Sequence, residues 1–130
     1  MLGPRAIGGE PAEGPAGEKA APEAGVVRGL AASAGVATGR ARVVLTLDDI
    51  DRLAPGDALV TYATAPPWTV VFGYAAAVVT DAGGPLSHCA VVAREYGIPA
   101  VVGAPGATSR IRDGMLIAVD GSEGVVRLIG

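Results

Sequence analysis

The chain holds one histidine, His88, in 130 residues, and its setting is chemically specific. An apolar run, Ala76 to Thr80, enters Asp81-Ala82-Gly83-Gly84-Pro85-Leu86-Ser87, and His88 then opens an apolar helical pattern that ends at Tyr96. Paired glycines carry no Cβ, so a phosphate or a partner's backbone can come close at Gly83 and Gly84. A helix N-terminus offers unpaired N–H groups and a partial positive charge that favours anions. The same field disfavours a second positive charge on an imidazole, and an ordinary imidazole is already mostly neutral at pH 7. On these grounds His88 reads as a neutral nucleophile able to carry an anionic group such as a phosphoryl. The plain alternative is a surface or helix-terminal histidine with no chemistry. A nucleotide-phosphate loop is a further alternative, but GxxxxGK[ST] and GxGxxG are both absent.

The elements that must hold this histidine are legible along the chain. Val26 to Leu30 and Gly39 to Leu45 read as strands around a Gly/Ala/Ser turn, LAASAGVATGR, because residues 40–45 alternate in polarity. Thr46 is expected to cap a short helix reaching about Leu53, with Asp48 and Asp49 at its positive end. Ala58 to Tyr62 reads as a short strand, and Pro66-Pro67 introduces a short helix through WTVVFGYA. Ala76 to Thr80 and Ala100 to Val102 have the all-apolar look of buried strands. Between them, Ser87 is expected to cap the helix His88–Tyr96 and Gly97 to end it in a left-handed turn. Thr108 to Ile111 is a further short helix, and Met115 to Asp120 and Val125 to Ile129 close the domain as strand, turn and strand. Six or seven short strands and about three short helices make a layered α/β domain, partly parallel where two strands flank a helix.

Composition narrows the partners. Half of the residues are hydrophobic and 4% aromatic, so the core must be built mainly from Val, Ala, Leu and Ile. Residues 1–24 are rich in Gly, Pro, Ala and Glu and read as a flexible tail, which leaves 25–130 as one folded domain. The net charge is −3, with no basic stripe or stacking platform, which argues against nucleic acid. No apolar run reaches the roughly 20 residues of a membrane span, and the N-terminus lacks the form of a secretory signal. Cys89 is the one cysteine, so no internal disulfide forms and a cytoplasmic protein is the expectation.

Thr80 to Gly103, TDAGGPLSHCAVVAREYGIPAVVG, resembles the phosphohistidine segment of the phosphoenolpyruvate-utilising enzymes. That group includes pyruvate phosphate dikinase, phosphoenolpyruvate synthase, the first enzyme of the sugar phosphotransferase system and rifampicin phosphotransferase. Upstream, GLAASAGVATGRARVV is similar to the start of the same mobile domain. The resemblance implies a swivelling β/β/α domain, with His88 as the catalytic residue that takes and delivers a phosphoryl group. It also implies partners: an ATP-grasp domain or a phosphoenolpyruvate-using domain as donor, and an acceptor site elsewhere. Two departures stand out. Leu86 occupies the place of the dikinases' regulatory threonine, which brings the segment closer to the rifampicin phosphotransferase branch. Ser33-Ala34-Gly35 stands where the family usually has Ser-Pro-Gly.

Beside His88, the hydroxyls of Thr80 and Ser87 are candidates to orient the imidazole or donate to a phosphoryl, although a pure capping role suits Ser87 equally. Thr64 is a candidate to reach the ring from a neighbouring loop. Arg94 and Glu95 suit a surface or domain-docking ion pair as well as a phosphate contact. Cys89 lacks the companions for a zinc site and is expected to point into the core. Asp81 and Asp113 are turn formers before they are magnesium ligands. No metal or cofactor is expected on this chain; ATP or phosphoenolpyruvate with Mg²⁺ belongs to partner domains. The chain therefore reads as a phosphotransferase component that is incomplete alone, the alternative being a swivelling docking module without transfer chemistry.

Overall fold

Side-chain alternation along three short strands sets the layering of the domain. The computed structural model describes residues 25–130, and the expected tail, 1–24, lies outside the described residues. Strands β4 (Ala58–Thr61), β5 (Ala77–Thr80) and β6 (Ala100–Val102) run parallel and are buried throughout. Leu59, Val78, Ala100 and Val102 face one core together with Trp68, Val71, Phe72 and Val92. Val60, Ala77, Val79 and Val101 face a second core with Val27, Ile117, Val119 and Val126. Continuous apolar strands are what a parallel sheet covered on both faces requires.

The first core is covered by α1 (His88–Tyr96) and the 3-10 helix Pro66–Gly73. The second is covered by an antiparallel layer: β1 (Val26–Arg28), β8 (Val125–Leu128), β7 (Leu116–Asp120) and the first part of β3 (Val36–Val43). β3 joins the two layers. Its residues 36–40 pair antiparallel with β7, and its residues 41–43 pair parallel with β4. With β2 (Leu30–Ser33) antiparallel on the outer side of β6, the strand order is β1-β8-β7-β3-β4-β5-β6-β2. The expected α/β class with layered sheets and few short helices is the observed one.

Several local expectations are corrected. The segment LAASAGVATGR is not one turn: Leu30–Ser33 is a strand, β3 begins at Val36, and the described residues form eight strands. Pairing with β6 overrides the weak strand preference of Ala and Ser, because small side chains let the chain pass close to its neighbours. At Gly29 an added Cβ would come within 2.7 Å of the Val102 carbonyl. The helix after Thr46 is a 3-10 segment, Leu47–Arg52, and the Thr46 side chain does not cap it. Its hydroxyl faces the Asp49 carboxylate at 3.5 Å instead. The helix expected at Thr108 is α2 (Ala107–Arg110), shifted by one residue.

Candidate functional site

Because β4, β5 and β6 are parallel, their C-terminal ends share one sheet edge, where α/β folds place their ligand sites. The loop after β5, residues 81–87, leads directly into α1, and the connection after β4 rises beside it. Ser87 has extended backbone, and its Oγ accepts from the Ala90 N–H at 3.3 Å while donating to the Gly84 carbonyl at 2.8 Å. That double contact ties the loop to the first turn of the helix, with Ser87 as its cap. Gly97, at φ 70°, ends the helix in the left-handed region.

His88 stands at the first position of α1, half-buried. Its Nδ1 lies 2.8 Å from the Thr64 hydroxyl and its Nε2 lies 3.2 Å from the Thr69 hydroxyl. The Phe72 ring meets the imidazole edge-on, with centroids 6.1 Å apart and planes at 85°. A neutral imidazole has one donor and one acceptor nitrogen, and a threonine hydroxyl can serve either, so both ring nitrogens are satisfied at once. The ring is fixed in position and direction. Thr69 and Phe72 were not among the sequence candidates. No spacing rule links residues 69 and 88, but the parallel order of β4 and β5 would have brought the residue 62–73 connection to the same edge.

Gly83 adopts φ 117°, and a Cβ there would press on Ser87 at 3.1–3.2 Å. At Gly84 an added Cβ would meet nothing within 4 Å, so this side of the loop opens on free space next to the helix mouth. The Thr80 hydroxyl, fully buried, donates to the Ala82 carbonyl at 2.7 Å and makes no hydrogen bond with the imidazole. The bond serves the turn out of β5. Cys89 points into the core, 3% exposed, and burial pushes its thiol up to about 12 while the Thr64 hydroxyl pulls it down. Asp81 accepts from the Thr108 backbone N–H at 3.0 Å and from the Thr108 hydroxyl at 3.2 Å, which anchors the start of the loop to α2. Asp113 accepts from the Val43 N–H and pairs with Arg52 at 2.7 Å. Arg94 forms neither an ion pair nor a contact with the imidazole; its guanidinium donates to the Ala32 and Pro85 carbonyls, each at 2.8 Å. Among the described residues, no group of three or more His, Cys, Asp or Glu could hold a metal ion, and no helix is long and apolar enough to cross a membrane.

Layered sheets with a histidine at the mouth of the covering helix define an α/β domain with one candidate nucleophile at its sheet edge. The chain belongs to the mobile-domain family of the PEP-utilising enzymes, which it matches over residues 53–124. It is 53% identical over 114 residues to the phosphoenolpyruvate synthase of Aeropyrum pernix, covering 86% of this chain and 14% of that protein. It is 50% identical over 105 residues to the rifampicin phosphotransferase of Bacillus subtilis, covering 81% and 12%. Chondramide synthase of Chondromyces crocatus is 57% identical over 101 residues, covering 78% of this chain and 3% of the relative. The chain thus spans a small part of the phosphotransferases it matches. Among solved structures, Enzyme I is 36% identical with a TM-score of 0.52, covering 58% of this chain and 32% of that one. Aconitase X of Thermococcus kodakaraensis shares the fold alone, at 19% identity, 81% and 98% coverage and a TM-score of 0.62.

Proposed function

We propose that this chain is a phosphoryl carrier in which His88 takes a phosphoryl group from one partner site and delivers it to another. The observation that carries this reading is the imidazole held between the Thr64 and Thr69 hydroxyls at the mouth of α1, beside the open space at Gly84. The threonine hydroxyl that donates to the unprotonated ring nitrogen turns away, and that nitrogen attacks the donor phosphorus. A P–N bond forms, the donor's P–O bond breaks, and the electron pair leaves with the donor oxygen. The other ring nitrogen keeps its proton against a threonine hydroxyl. In the second half, an acceptor oxygen attacks the same phosphorus, the P–N bond breaks and the neutral imidazole returns.

The residues around the imidazole supply orientation but little charge. Residues 58–80 contain no Asp, Glu, Lys or Arg. Phosphoryl transfer needs neutralisation of the developing negative charge, so cations must come from partner surfaces. ATP or phosphoenolpyruvate, with Mg²⁺, would be held there, the donor side being an ATP-grasp or phosphoenolpyruvate-using domain. A cytoplasmic setting fits, since a single buried thiol makes no use of an oxidising compartment.

The test is phosphorylation by the donor partner, read by intact mass. Wild type is expected to gain one acid-labile, base-stable phosphoryl group, and His88→Ala none. A group that persists in His88→Ala, or that resists acid, overturns the assignment. Wild type that stays unlabelled, from the partner and from phosphoramidate alike, favours the docking module.

A further inference from the structure

We infer that Arg94 is a positioning residue, which fixes the pose of the imidazole by clamping the middle of the Gly-rich loop without touching the ring. The guanidinium sits in the last turn of α1 and forks between two backbone segments. Nη1 donates to the Ala32 carbonyl in β2, and Nη2 donates to the Pro85 carbonyl, three residues before His88. Such charge-assisted bonds are the stronger kind, and the planar fork holds both carbonyls at once.

The loop needs an outside clamp at this point. Gly83 and Gly84 give its backbone wide freedom, and ordering glycine carries the largest backbone entropy cost. Asp81 secures the start through α2, and Ser87 secures the end through Gly84. Pro85 has no N–H to donate. Leu86 is 88% exposed and packs against little. The Pro85 carbonyl is therefore the handle by which the crest of the loop is held, and Arg94 holds it. Releasing it loosens the N-cap of α1, and with it the alignment of the ring against Thr64 and Thr69. The rest of α1 keeps its apolar face in the core, since Cys89, Ala90, Val92 and Ala93 are buried independently of Arg94.

This inference rests on the carrier reading for its purpose, but its test does not need phosphoryl transfer. The protein has one histidine, so ¹⁵N-histidine labelling of the full chain gives one pair of ring signals. At about pH 8, where an ordinary imidazole is neutral, wild type is expected to show ring-nitrogen signals whose separation differs from that of free histidine, because both nitrogens are held by threonine hydroxyls. In Arg94→Met the separation is expected to move to that of free histidine. Arg94→Lys, which can hold only one carbonyl at a time, is expected to lie between. Phosphoryl acceptance is expected to drop about tenfold in Arg94→Met, the scale of one or two lost hydrogen bonds. Wild-type ring signals in a folded Arg94→Met protein overturn the inference, whatever its melting temperature. Should Arg94→Met fail to fold, unchanged ring signals in Arg94→Lys and Arg94→Gln overturn it equally. A wild type with the ring signals of free histidine also overturns it. Failure of wild type to take a phosphoryl group counts against the carrier reading alone.

Discussion

The hydroxyl of Thr64 lies 2.8 Å from Nδ1 of His88, although 24 residues separate the two along the chain. The contact exists because β4 and β5 are parallel neighbours in register, Thr61 opposite Thr80, so the segments that follow them meet at one edge. Thr69 reaches the other ring nitrogen from the 3-10 helix that follows. Two hydroxyls on one connection thereby orient a ring carried by another.

If His88 carries a phosphoryl group as proposed, removing either hydroxyl should slow its labelling without unfolding the chain. Thr64→Val and Thr69→Val are each expected to slow phosphoryl acceptance by about 5–10-fold, the equivalent of one hydrogen bond of roughly 1 kcal/mol. Rates of acid-labile labelling check this. Equal rates in both variants and wild type would remove the orienting role.

The two loop glycines should part company. Gly84→Val places its side chain in open space and is expected to keep the wild-type melting temperature while crowding the incoming phosphoryl group. Gly83→Val forces a left-handed φ on a β-branched residue beside Ser87 and is expected to destabilise by roughly 1–3 kcal/mol. Thermal denaturation and labelling rates, measured side by side, separate the two effects.

Cys89 should be inert in the native protein. Burial raises its thiol to about 12, so iodoacetamide at mildly alkaline pH is expected to modify unfolded but not folded chain. The sign for stability follows. A folded-state value above the unfolded one means the thiol's contribution is intact below the ordinary thiol range and is lost as pH rises towards 12. Denaturation of wild type should therefore steepen over that window relative to Cys89→Ala.

Asp113 should matter at the acid end. Partial burial raises its carboxyl, but the Val43 N–H and the charges of Arg52 and Arg42 outweigh this and hold it below the usual range. A lowered folded value gives stability that is present above the unfolded carboxylate range and is lost as pH falls through the folded one. The deficit of Asp113→Asn against wild type is expected at neutral pH and should vanish in acid. It should be small, because both partners face solvent and surface pairs contribute little.

Leu86 should act only when a partner is present. Like Tyr62 and Val70 it is a large exposed apolar side chain, and the three lie within two residues of His88, Thr64 and Thr69 along the chain. Leu86→Asp is expected to keep the fold and the rate of labelling by phosphoramidate, a donor too small to dock. It should raise the partner concentration needed for labelling by about tenfold or more, as loss of an apolar anchor does. Equal partner dependence in both proteins would show that docking ignores the Leu86 side chain.

The candidate nucleophile and its immediate frame were legible in the sequence, because they are local. The strand–loop–helix unit around His88, the Ser87 cap and the Gly97 stop each depend on residues within a turn or two. The apolar runs at 77–80 and 100–102 likewise announced strands buried on both faces. What lay beyond local rules was pairing. LAAS looks like a turn by propensity and is a strand because β6 offers it a hydrogen-bonding edge. Thr80 sits next to the loop in sequence, yet its hydroxyl turns to Ala82, whereas Thr69 is remote and touches the ring. Arg94 likewise looks like a surface charge until the fold brings Ala32 and Pro85 within its reach. Residue order determined which side chain could do the chemistry. Strand order, set by long-range pairing and by two cores closing on either side of the parallel sheet, decided which side chains hold it in place.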